Sequence, residues 1–443
     1  MNKEQKDFHK SRRERYSELL GKDSLSIIFG NTARNKSYDG HFNFKQSKNF
    51  YYLTGFNEPN SALVIAPSGI EFHTTKGSNK INEALFVQKK DRMMETWNGK
   101  RLGYNNVSNT LGISNGFENQ DLEGILNSRN IYNFRRLYIN FAEMISLGSE
   151  MKKIITGFID TLNMVAPNIE IADASFLLGV MRSVKTKFEI EQIKKACDIS
   201  VNSFKDTMMK IKPGLYEYQV QANLEYNYKY NGSSDNAYSP IVAGGEDACI
   251  LHYDTNNKKL KDGDLLLIDS GAEYEYYCSD ITRTYPVNGK FSKEQKQIYN
   301  IVLKANKECI NKIKPGVKFS DLRDFSEKIL ADGLHKAGIL KDKKSIRKYS
   351  LHGLGHHIGL DTHDAVSYGK TVYEDNDTLR AGNVLTIEPG LYFPSGSKEI
   401  AKKYWGIGVR IEDDVLVKRG GRENLTEGLV KEADEIEEIM ISK

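Results

Sequence analysis

The chain has 443 residues, 39% of them hydrophobic, which is enough for two packed globular domains. Its formal net charge is only +4 and its basic residues are scattered over lysine-rich helix surfaces, so a nucleic-acid-binding protein is not indicated. The four cysteines lie far apart, which indicates buried free thiols in a reducing compartment. Because no apolar run reaches the length of a signal peptide or a transmembrane helix, we expect a cytoplasmic protein without a membrane partner.

The first part of the chain, residues 1–180, alternates helical and strand patterns. Helices are predicted over Lys6–Leu20 and Gly148–Val165 from the spacing of their apolar residues. Short strands are predicted at SLSIIFG, NFYYLTGF, SALVIAP, GIEFHTT, EALFVQ and RRLYINF. This order predicts an α/β domain, and no histidine, cysteine or acidic motif clusters within it.

A second domain, residues 181–443, is predicted to begin with a capped helix. Thr186 and Glu189 have the spacing of a capping box, and the helical pattern continues to a stop at Pro213 and Gly214. A second helix is predicted over Leu215–Tyr230. The segments that follow it have the composition of strands and read YSPIVAGG and ACILHY.

Two carboxylates come next, in a predicted hairpin. Leu265–Ile268 has the pattern of a buried strand that ends on Asp269, and Ser279–Val287 alternates like a second strand that carries Asp280. If the turn is centred at residues 274 and 275, the two carboxylates lie directly opposite each other, roughly 5 Å apart at Cβ. Like charges at that separation raise one pKa unless a cation lies between them, so the pair is either a proton-sharing dyad or half of a metal site.

The hairpin sequence is repeated later in the chain. GDLLLIDSG, which contains Asp269, recurs as GNVLTIEPG with Glu388 in the matching place. A second strand follows each copy, SDITRT with Asp280 and GVRIEDD with Glu412. Upstream, MKIKPG and NKIKPG each stand between two predicted helices. Four matched features in the same order indicate an internal duplication, whose facing halves would bring four carboxylates together.

The acid at the end of the second copy is ambiguous, because Glu412, Asp413 and Asp414 are adjacent. Only one of them is expected to point inward, and alternation with Val409 and Ile411 favours Glu412 or Asp414 without deciding between them. The alternative for all of these carboxylates is a solvated position at a strand end. The first acid of each half ends an almost wholly apolar strand, which favours a shared metal site.

The stretch LHGLGHHIGLDTHD, residues 351–364, contains four of the nine histidines. Its glycines disfavour a regular helix, so His352 and His356 are not the helical pair of a zinc protease. Acids together with imidazoles suit two divalent ions about 3.5–4 Å apart, and an oxygen-rich ligand set favours Mn(II), Fe(II) or Co(II) over structural zinc. Such a site lowers the pKa of bound water and polarises a carbonyl, which hydrolysis of an amide requires.

These motifs resemble the metallopeptidase family M24, which has the "pita-bread" fold and includes methionine aminopeptidase, prolidase and aminopeptidase P. The motifs that carry the resemblance are LLLIDSG, SDITRTYPVNGKF, HGLGHHIGLDTHD, TIEPGLY and GVRIEDD. In the first domain, FKQSKNFYYLTGFNEPNSALVI and ETWNGKRLG are similar to the N-terminal domain of aminopeptidase P. The resemblance implies an N-terminal α/β domain followed by a pita-bread domain with an internal pseudo-two-fold duplication.

The resemblance also implies roles for individual residues. Two divalent ions, with Mn(II) as the expected metal, would be bound by Asp269, Asp280, His356, Glu388 and Glu412. Glu388 would also take the proton from the attacking water. The histidines that would act on the substrate are His252, His352 and His363. Tyr238 and Arg410 would contribute to substrate binding from behind the residues that contact the metal. Trp97 of the first domain would also contribute, by narrowing the entrance or by capping the site of a neighbouring subunit, and His357 is assigned no role.

The implied reaction is hydrolysis of the first peptide bond in peptides whose second residue is proline, by a homodimer or homotetramer. Prolidase, which cleaves only dipeptides, shares the catalytic half and is an alternative that the N-terminal similarity disfavours. A second alternative is a non-catalytic peptide-binding module on the same fold. The complete set of five ligand residues argues against that module, and equally against a metal-free relative that hydrolyses creatine.

Overall fold

The computed structural model describes residues 1–74, 77–128, 130–141, 149–364 and 377–442. The chain divides into two compact units, Met1–Met181 and Arg182–Lys443. Each unit has a hydrophobic core of its own. Within the described residues, no helix is both long and apolar enough to cross a bilayer.

The first unit is built around one mixed sheet. Its helices are α1 (Lys3–Leu20), α2 (Lys48–Thr54), α3 (Arg92–Asn98), α4 (Val107–Leu111) and α5 (Ser149–Val165), and α6 (Ser175–Ser183) stands at its end. Its strands are β1 (Ser24–Phe29), β2 (Ala62–Thr74), β3 (Gly77–Val87), β4 (Gly116–Glu118), β5 (Arg136–Ile139) and β6 (Glu170–Asp173). The strand order is β4-β3-β2-β1-β5-β6, with an antiparallel centre and parallel pairs outside it. The predicted α/β character of this part is confirmed.

One strand predicted in this unit is wrong, because NFYYLTGF forms helix α2 and the bend after it. The hydroxyl of Ser47 accepts the backbone N–H of Phe50 and caps the helix, and Gly55, at φ 61°, ends it in the left-handed conformation. The aromatic residues favoured a strand by propensity alone, but the two caps decide the local structure.

In the described residues, the second unit contains two helix pairs, a C-terminal helix and four small sheets. Its helices are α7 (Lys187–Lys210), α8 (Glu217–Tyr230), α9 (Lys293–Lys312), α10 (Phe319–Lys336) and α11 (Ala433–Ile441). The strands of its first half are β7 (Asp235–Asn236), β8 (Ile241–Gly244), β9 (Leu265–Ser270), β10 (Ala272–Tyr274), β11 (Tyr277–Cys278) and β12 (Ile281–Pro286). The strands of its second half are β13 (Val384–Ile387), β14 (Gly390–Phe393), β15 (Ile407–Arg410), β16 (Asp413–Lys418) and β17 (Gly421–Asn424).

The two halves of this unit repeat one order of elements. Helices α7 and α8 precede the sheet β12-β9-β8, and α9 and α10 precede the sheet β13-β16-β17. The duplicated segments of the sequence form β9 and β13, each paired antiparallel with the strand that follows the second acid of its half. The capping box at the start of α7 is present, since Glu189 accepts the N–H of Thr186 at 2.8 Å. The predicted fold class is confirmed.

The segment ACILHY does not form the predicted strand. Residues Gly245–Cys249 make a short 3-10 helix, and the N–H of Ile250 donates to the carbonyl of Asp247 at 2.9 Å. Strand β15 packs so closely against this turn that a Cβ on Gly408 would lie 2.3 Å from the carbonyl oxygen of Ala248. The turn carries His252 to the wall of the cavity described next.

Candidate active site

A cavity of about 1310 Å³ lies in the second unit. Its lining includes ten residues that the sequence singled out, namely Tyr238, His252, Asp269, Asp280, His352, His356, His363, Glu388, Arg410 and Glu412. The eleventh, Trp97, belongs to the first unit, where it lies on α3 with 80% of its surface exposed.

The hairpin that carries the first two acids has a different register from the predicted one. The turn falls at Glu275 and Tyr276, which both have positive φ, so Asp269 pairs with Thr282 instead of Asp280. The prediction that the two acids lie directly opposite each other is therefore wrong by one residue in the position of the turn. They remain diagonal neighbours on the same face, because positions two apart in a strand point the same way.

In the second half, the register does place the acids opposite each other. Ile387 pairs with Asp413 and Gly390 pairs with Arg410, and Glu388 and Glu412 follow the same register between these pairs. The two acids of the first half are therefore diagonal neighbours, whereas the two acids of the second half lie directly opposite each other.

All three adjacent acids at residues 412–414 are buried, which corrects the expectation that only one points inward. Glu412 faces the cavity, and Asp413 forms ion pairs with Arg283 at 2.8 Å and Lys431 at 2.5 Å. Asp414 accepts the N–H of Asp280 at 2.9 Å. The charge of Asp413 is thereby neutralised by two cations, which is how a buried carboxylate becomes tolerable.

The ligand-type atoms of Asp280, His356 and Glu412 all lie within 4.8 Å of one another, and the three residues are buried. Nε2 of His356 is 3.5 Å from Oδ2 of Asp280 and 3.8 Å from Oε1 of Glu388. Its Nδ1 lies 3.0 Å from the carbonyl oxygen of His357, so an Nδ1–H donates there and the Nε2 lone pair faces the acids. Oε1 of Glu412 is buried without a hydrogen-bond partner in the described chain. This donor set fits a divalent metal ion.

The electrostatics of the cluster favour an added positive charge. Burial raises the pKa of Glu388 to about 7, and burial together with the neighbouring acids raises the pKa of Glu412 well above its ordinary range. Burial also raises the pKa of Asp280, although His356 opposes the shift. For His356, burial lowers the pKa, but the contact with Asp280 and the surrounding acids outweigh it and raise the pKa to about 9. Burial therefore favours the protonated form of these carboxyl groups, and a bound cation would let them ionise.

Tyr238 and Arg410 hold the first acids in place. The Tyr238 hydroxyl lies 2.5 Å from Oδ1 of Asp269 and 2.5 Å from Oδ1 of Asp280. The Arg410 guanidinium donates to Oδ2 of Asp269 and, at 3.1 Å, to the Thr282 hydroxyl. Thr282 in turn donates to Oε2 of Glu412 at 2.7 Å. These contacts fix the orientation of three carboxylates before anything binds between them.

Two of the three histidines contact other groups of the site. Nε2 of His352 lies 2.7 Å from the hydroxyl of Tyr392, and its Nδ1 lies 3.5 Å from Oε2 of Glu388. Burial lowers the pKa of His352 to about 4, so its ring is neutral near pH 7. The His363 ring stands 4.0 Å from the His356 ring, centroid to centroid, and His252 is an exposed part of the wall. All three therefore border the space next to the acids.

Sequence reasoning missed Tyr392 and Thr282. The Tyr392 hydroxyl contacts His352 and accepts from Nη1 of Arg410 at 2.8 Å, so it links two residues that were predicted separately. It follows Glu388 by four residues in TIEPGLY, where even spacing along a strand was the available signal.

The glycine-rich segment at residues 351–364 runs along β13 and is hydrogen-bonded to this strand and to the residue that follows it. The N–H of Glu388 donates to the carbonyl of Leu354 at 2.8 Å, and the N–H of His356 donates to the Thr386 hydroxyl at 3.1 Å. A Cβ on Gly355 would lie 2.0 Å from the carbonyl oxygen of Thr386, so only glycine permits this approach. The loop therefore places His356 and Glu388 next to each other.

Comparisons by family model, by sequence and by structure each find similar proteins, and the sequence and structure comparisons cover nearly the whole chain. The family model described as "Metallopeptidase family M24" matches residues 191–419, and "Aminopeptidase P, N-terminal domain" matches residues 9–134. The Xaa-Pro aminopeptidase of Escherichia coli (strain K12) is 35% identical over 442 residues, covering 97% of each chain. The structure of Pseudomonas aeruginosa aminopeptidase PepP is similar with a TM-score of 0.89, at 33% identity over 99% of this chain and 98% of that one. A variant of Escherichia coli aminopeptidase P in complex with substrate is similar with a TM-score of 0.86, at 32% identity over 99% and 98% of the two chains.

Proposed function

The chain belongs to metallopeptidase family M24, and on that premise we propose that it is an Xaa-Pro aminopeptidase, which removes the first residue from peptides with proline in second place. The observation that carries this function is the cavity in which acids from both halves of the duplication meet His356. The N-terminal match to aminopeptidase P distinguishes this activity from that of a prolidase. We assign residues 1–180 to the N-terminal domain and 181–443 to the catalytic domain.

The enzyme uses divalent metal, and we propose two Mn(II) ions held by Asp269, Asp280, His356, Glu388 and Glu412. The three-residue group of Asp280, His356 and Glu412, with Glu388 3.8 Å from His356, supports one position. Asp269, which shares the Tyr238 hydroxyl with Asp280, supports a second. Four carboxylates and one imidazole favour Mn(II) over zinc. When bound, such ions supply a water activated for attack and polarise the scissile carbonyl.

We assign the remaining catalytic roles to the acids and the histidines of the cavity. Glu388 accepts the proton of the attacking water, because it lines the cavity next to His356, whose Nε2 is 3.8 Å from its Oε1. His252, His352 and His363 border the position of the carbonyl and stabilise the charge that develops on its oxygen. The free amine of the peptide, a cation at neutral pH, is attracted by the acids.

The reaction has a particular demand at the leaving nitrogen. An Xaa-Pro bond has no N–H, so an enzyme that binds its substrate through that N–H cannot cleave this bond. The leaving nitrogen must also receive a proton as the bond breaks. We assign this donation to the histidine cluster, which regains its proton from Glu388, so that the proton taken from the water ends on the leaving nitrogen. Tyr238 and Arg410 keep the carboxylates oriented for the substrate, and Trp97 contributes a substrate contact, which its exposed indole supports.

Two further assignments concern the setting of the enzyme. A homodimer or homotetramer is supported by Met93 and Trp97, whose large apolar side chains are exposed on the same short helix and would be covered by a partner copy. A cytoplasmic location is supported by Cys197, Cys249, Cys278 and Cys309, which are all free thiols.

The peptides Ala-Pro, Ala-Pro-Ala and Ala-Ala-Ala, assayed side by side with Mn(II), test this function. Cleavage of Ala-Pro-Ala should dominate. A preference for Ala-Pro would make the enzyme a prolidase, and equal rates on Ala-Ala-Ala would remove proline from the specificity.

A further inference from the structure

One wall of the active-site cavity is basic. Lys318 and Arg323, at the start of α10, both line the cavity and are exposed to solvent. Arg323 contacts the adjacent Asp324 at 3.2 Å and keeps 47% of its side chain exposed. The third basic residue of the lining, Arg410, is held by its ion pair with Asp269. Lys318 and Arg323 are therefore the cations of the described lining that can reach a ligand.

Among the residues that the structure describes, the acidic cluster of this cavity is not paired with Lys318 or Arg323. The ion pairs of the acidic cluster involve His352, His356 and Arg410, and neither Lys318 nor Arg323 takes part in them within the described chain. The basic wall and the acidic cluster thus come from different elements, the one from α10 and the other from the strands.

Three further acids line the cavity. Asp377 accepts the N–H and the hydroxyl of Ser320, on α10 itself, at 2.9 and 2.6 Å, Asp361 pairs with Arg182 at 2.6 Å, and Asp254 is exposed to solvent. A ligand with both an amine and a carboxylate therefore meets acids and exposed cations in one cavity.

We propose that Lys318 and Arg323 bind a carboxylate of the peptide substrate, so that the enzyme favours short Xaa-Pro peptides whose C-terminal carboxylate reaches the α10 wall. This inference rests on the proposed function. An extended chain spans about 3.3–3.6 Å per residue, so the carboxylate of a tripeptide or tetrapeptide lies roughly 10–14 Å from its amine. The cavity volume of about 1310 Å³ exceeds the ~300–1,000 Å³ of ordinary small-ligand sites and leaves room for the third and fourth residues.

The experiment compares kcat/KM for Ala-Pro-Ala with that for its amide, Ala-Pro-Ala-NH2, at low ionic strength. A second pair, Ala-Pro-Ala-Glu-NH2 and Ala-Pro-Ala-Gln-NH2, tests an acidic side chain as the source of the carboxylate. The unchanged enzyme should prefer the carboxylate of at least one pair by about 3- to 10-fold, mainly through KM, because the group lies far from the scissile bond. The preference should shrink in 0.5 M salt, since both cations are exposed. Whichever pair shows it identifies the source.

The variant Lys318→Gln/Arg323→Gln removes both charges while keeping long side chains. Its preference ratio should fall towards one, whereas the control Lys328→Gln, an exposed lysine on the same helix outside the described lining, should keep the ratio of the unchanged enzyme. Equal rates within both pairs for the unchanged enzyme, or a preference that survives the double substitution, would overturn the inference and leave the Xaa-Pro activity standing. Failure to cleave any of the four peptides would instead contradict the proposed function.

Discussion

Nε2 of His356 lies 3.5 Å from Oδ2 of Asp280, too far for a strong hydrogen bond. Two ligand atoms of one divalent ion, each about 2.1 Å from it, are separated by roughly 3–4 Å. The separation therefore fits the proposal that both residues would hold one metal ion, and His356 turns its Nε2 lone pair towards the acids.

Replacing one acid of this group should remove metal and activity together. In Asp280→Ala the cluster loses a buried carboxylate between His356 and Glu412, and we expect the metal content and the rate on Ala-Pro-Ala to fall together. Metal analysis by mass spectrometry after gel filtration measures the first quantity. The control Asp198→Ala removes an exposed acid of α7 and should keep full metal content. An Asp280→Ala protein that retains the metal content of the unchanged enzyme would show that Asp280 is not a ligand.

The two neighbouring histidines should behave differently. His363→Ala should lower kcat by about 10²–10³-fold with unchanged metal content, because a donor that stabilises developing charge is lost. His356→Ala, whose ring stands 4.0 Å away, should lose metal as well. Loss of metal in His363→Ala would place His363 among the ligands and contradict the assignment.

The stability of the metal-free protein should decrease as pH rises from about 7 to 9. The pKa of Glu388 is raised from 4.5 to about 7 and that of His356 from 6.5 to about 9, so these groups give the folded state more protons than the unfolded chain in this window. Below about pH 6.5 the histidines whose pKa burial lowers, such as His352, have the opposite effect. The free energy of unfolding therefore falls as pH rises above about 7. Mn(II) should reverse the trend, because its ligands bind it in their deprotonated forms.

Thermal unfolding from pH 7 to 8.5, with chelator and with Mn(II), measures this dependence. Each kcal/mol lost lowers Tm by about 2–4 °C in a domain of this size. His356→Gln should flatten the slope in chelator. A metal-free Tm that rises from pH 7 to 8.5 would mean that His356 is not held protonated by the acids around it.

The buried ion network next to the site should be essential for stability. Arg283 is fully buried, pairs with Asp413 and donates to the carbonyl of Glu412 at 2.6 Å. Arg283→Ala leaves Asp413 with one of its two described cations, Lys431, and should cost about 3–5 kcal/mol in urea unfolding. The exposed pair of Lys187 and Glu191 gives the comparison, since Lys187→Ala should cost less than about 0.5 kcal/mol. Similar costs for both substitutions would refute a special role for the buried pair.

The sequence predicted the duplicated halves and the convergence of their acids well, because strand alternation and helix caps are local signals. It could not place the hairpin turn, since the left-handed conformations of Glu275 and Tyr276 are not typical of either residue type and a shift of one residue changes every partner. It also predicted that only one acid of residues 412–414 points inward, although Arg283, distant in sequence, neutralises a buried Asp413. Pairings between distant residues leave no periodic pattern in a single sequence.

The products formed from Ala-Pro-Ala-Ala test the central claim most directly. After removal of metal with a chelator, liquid chromatography with mass spectrometry should detect only intact peptide. After reloading with Mn(II), it should detect free alanine together with Pro-Ala-Ala. Release of the dipeptide Ala-Pro, or equal cleavage in the presence of chelator, would contradict a metal-dependent aminopeptidase that cuts before proline.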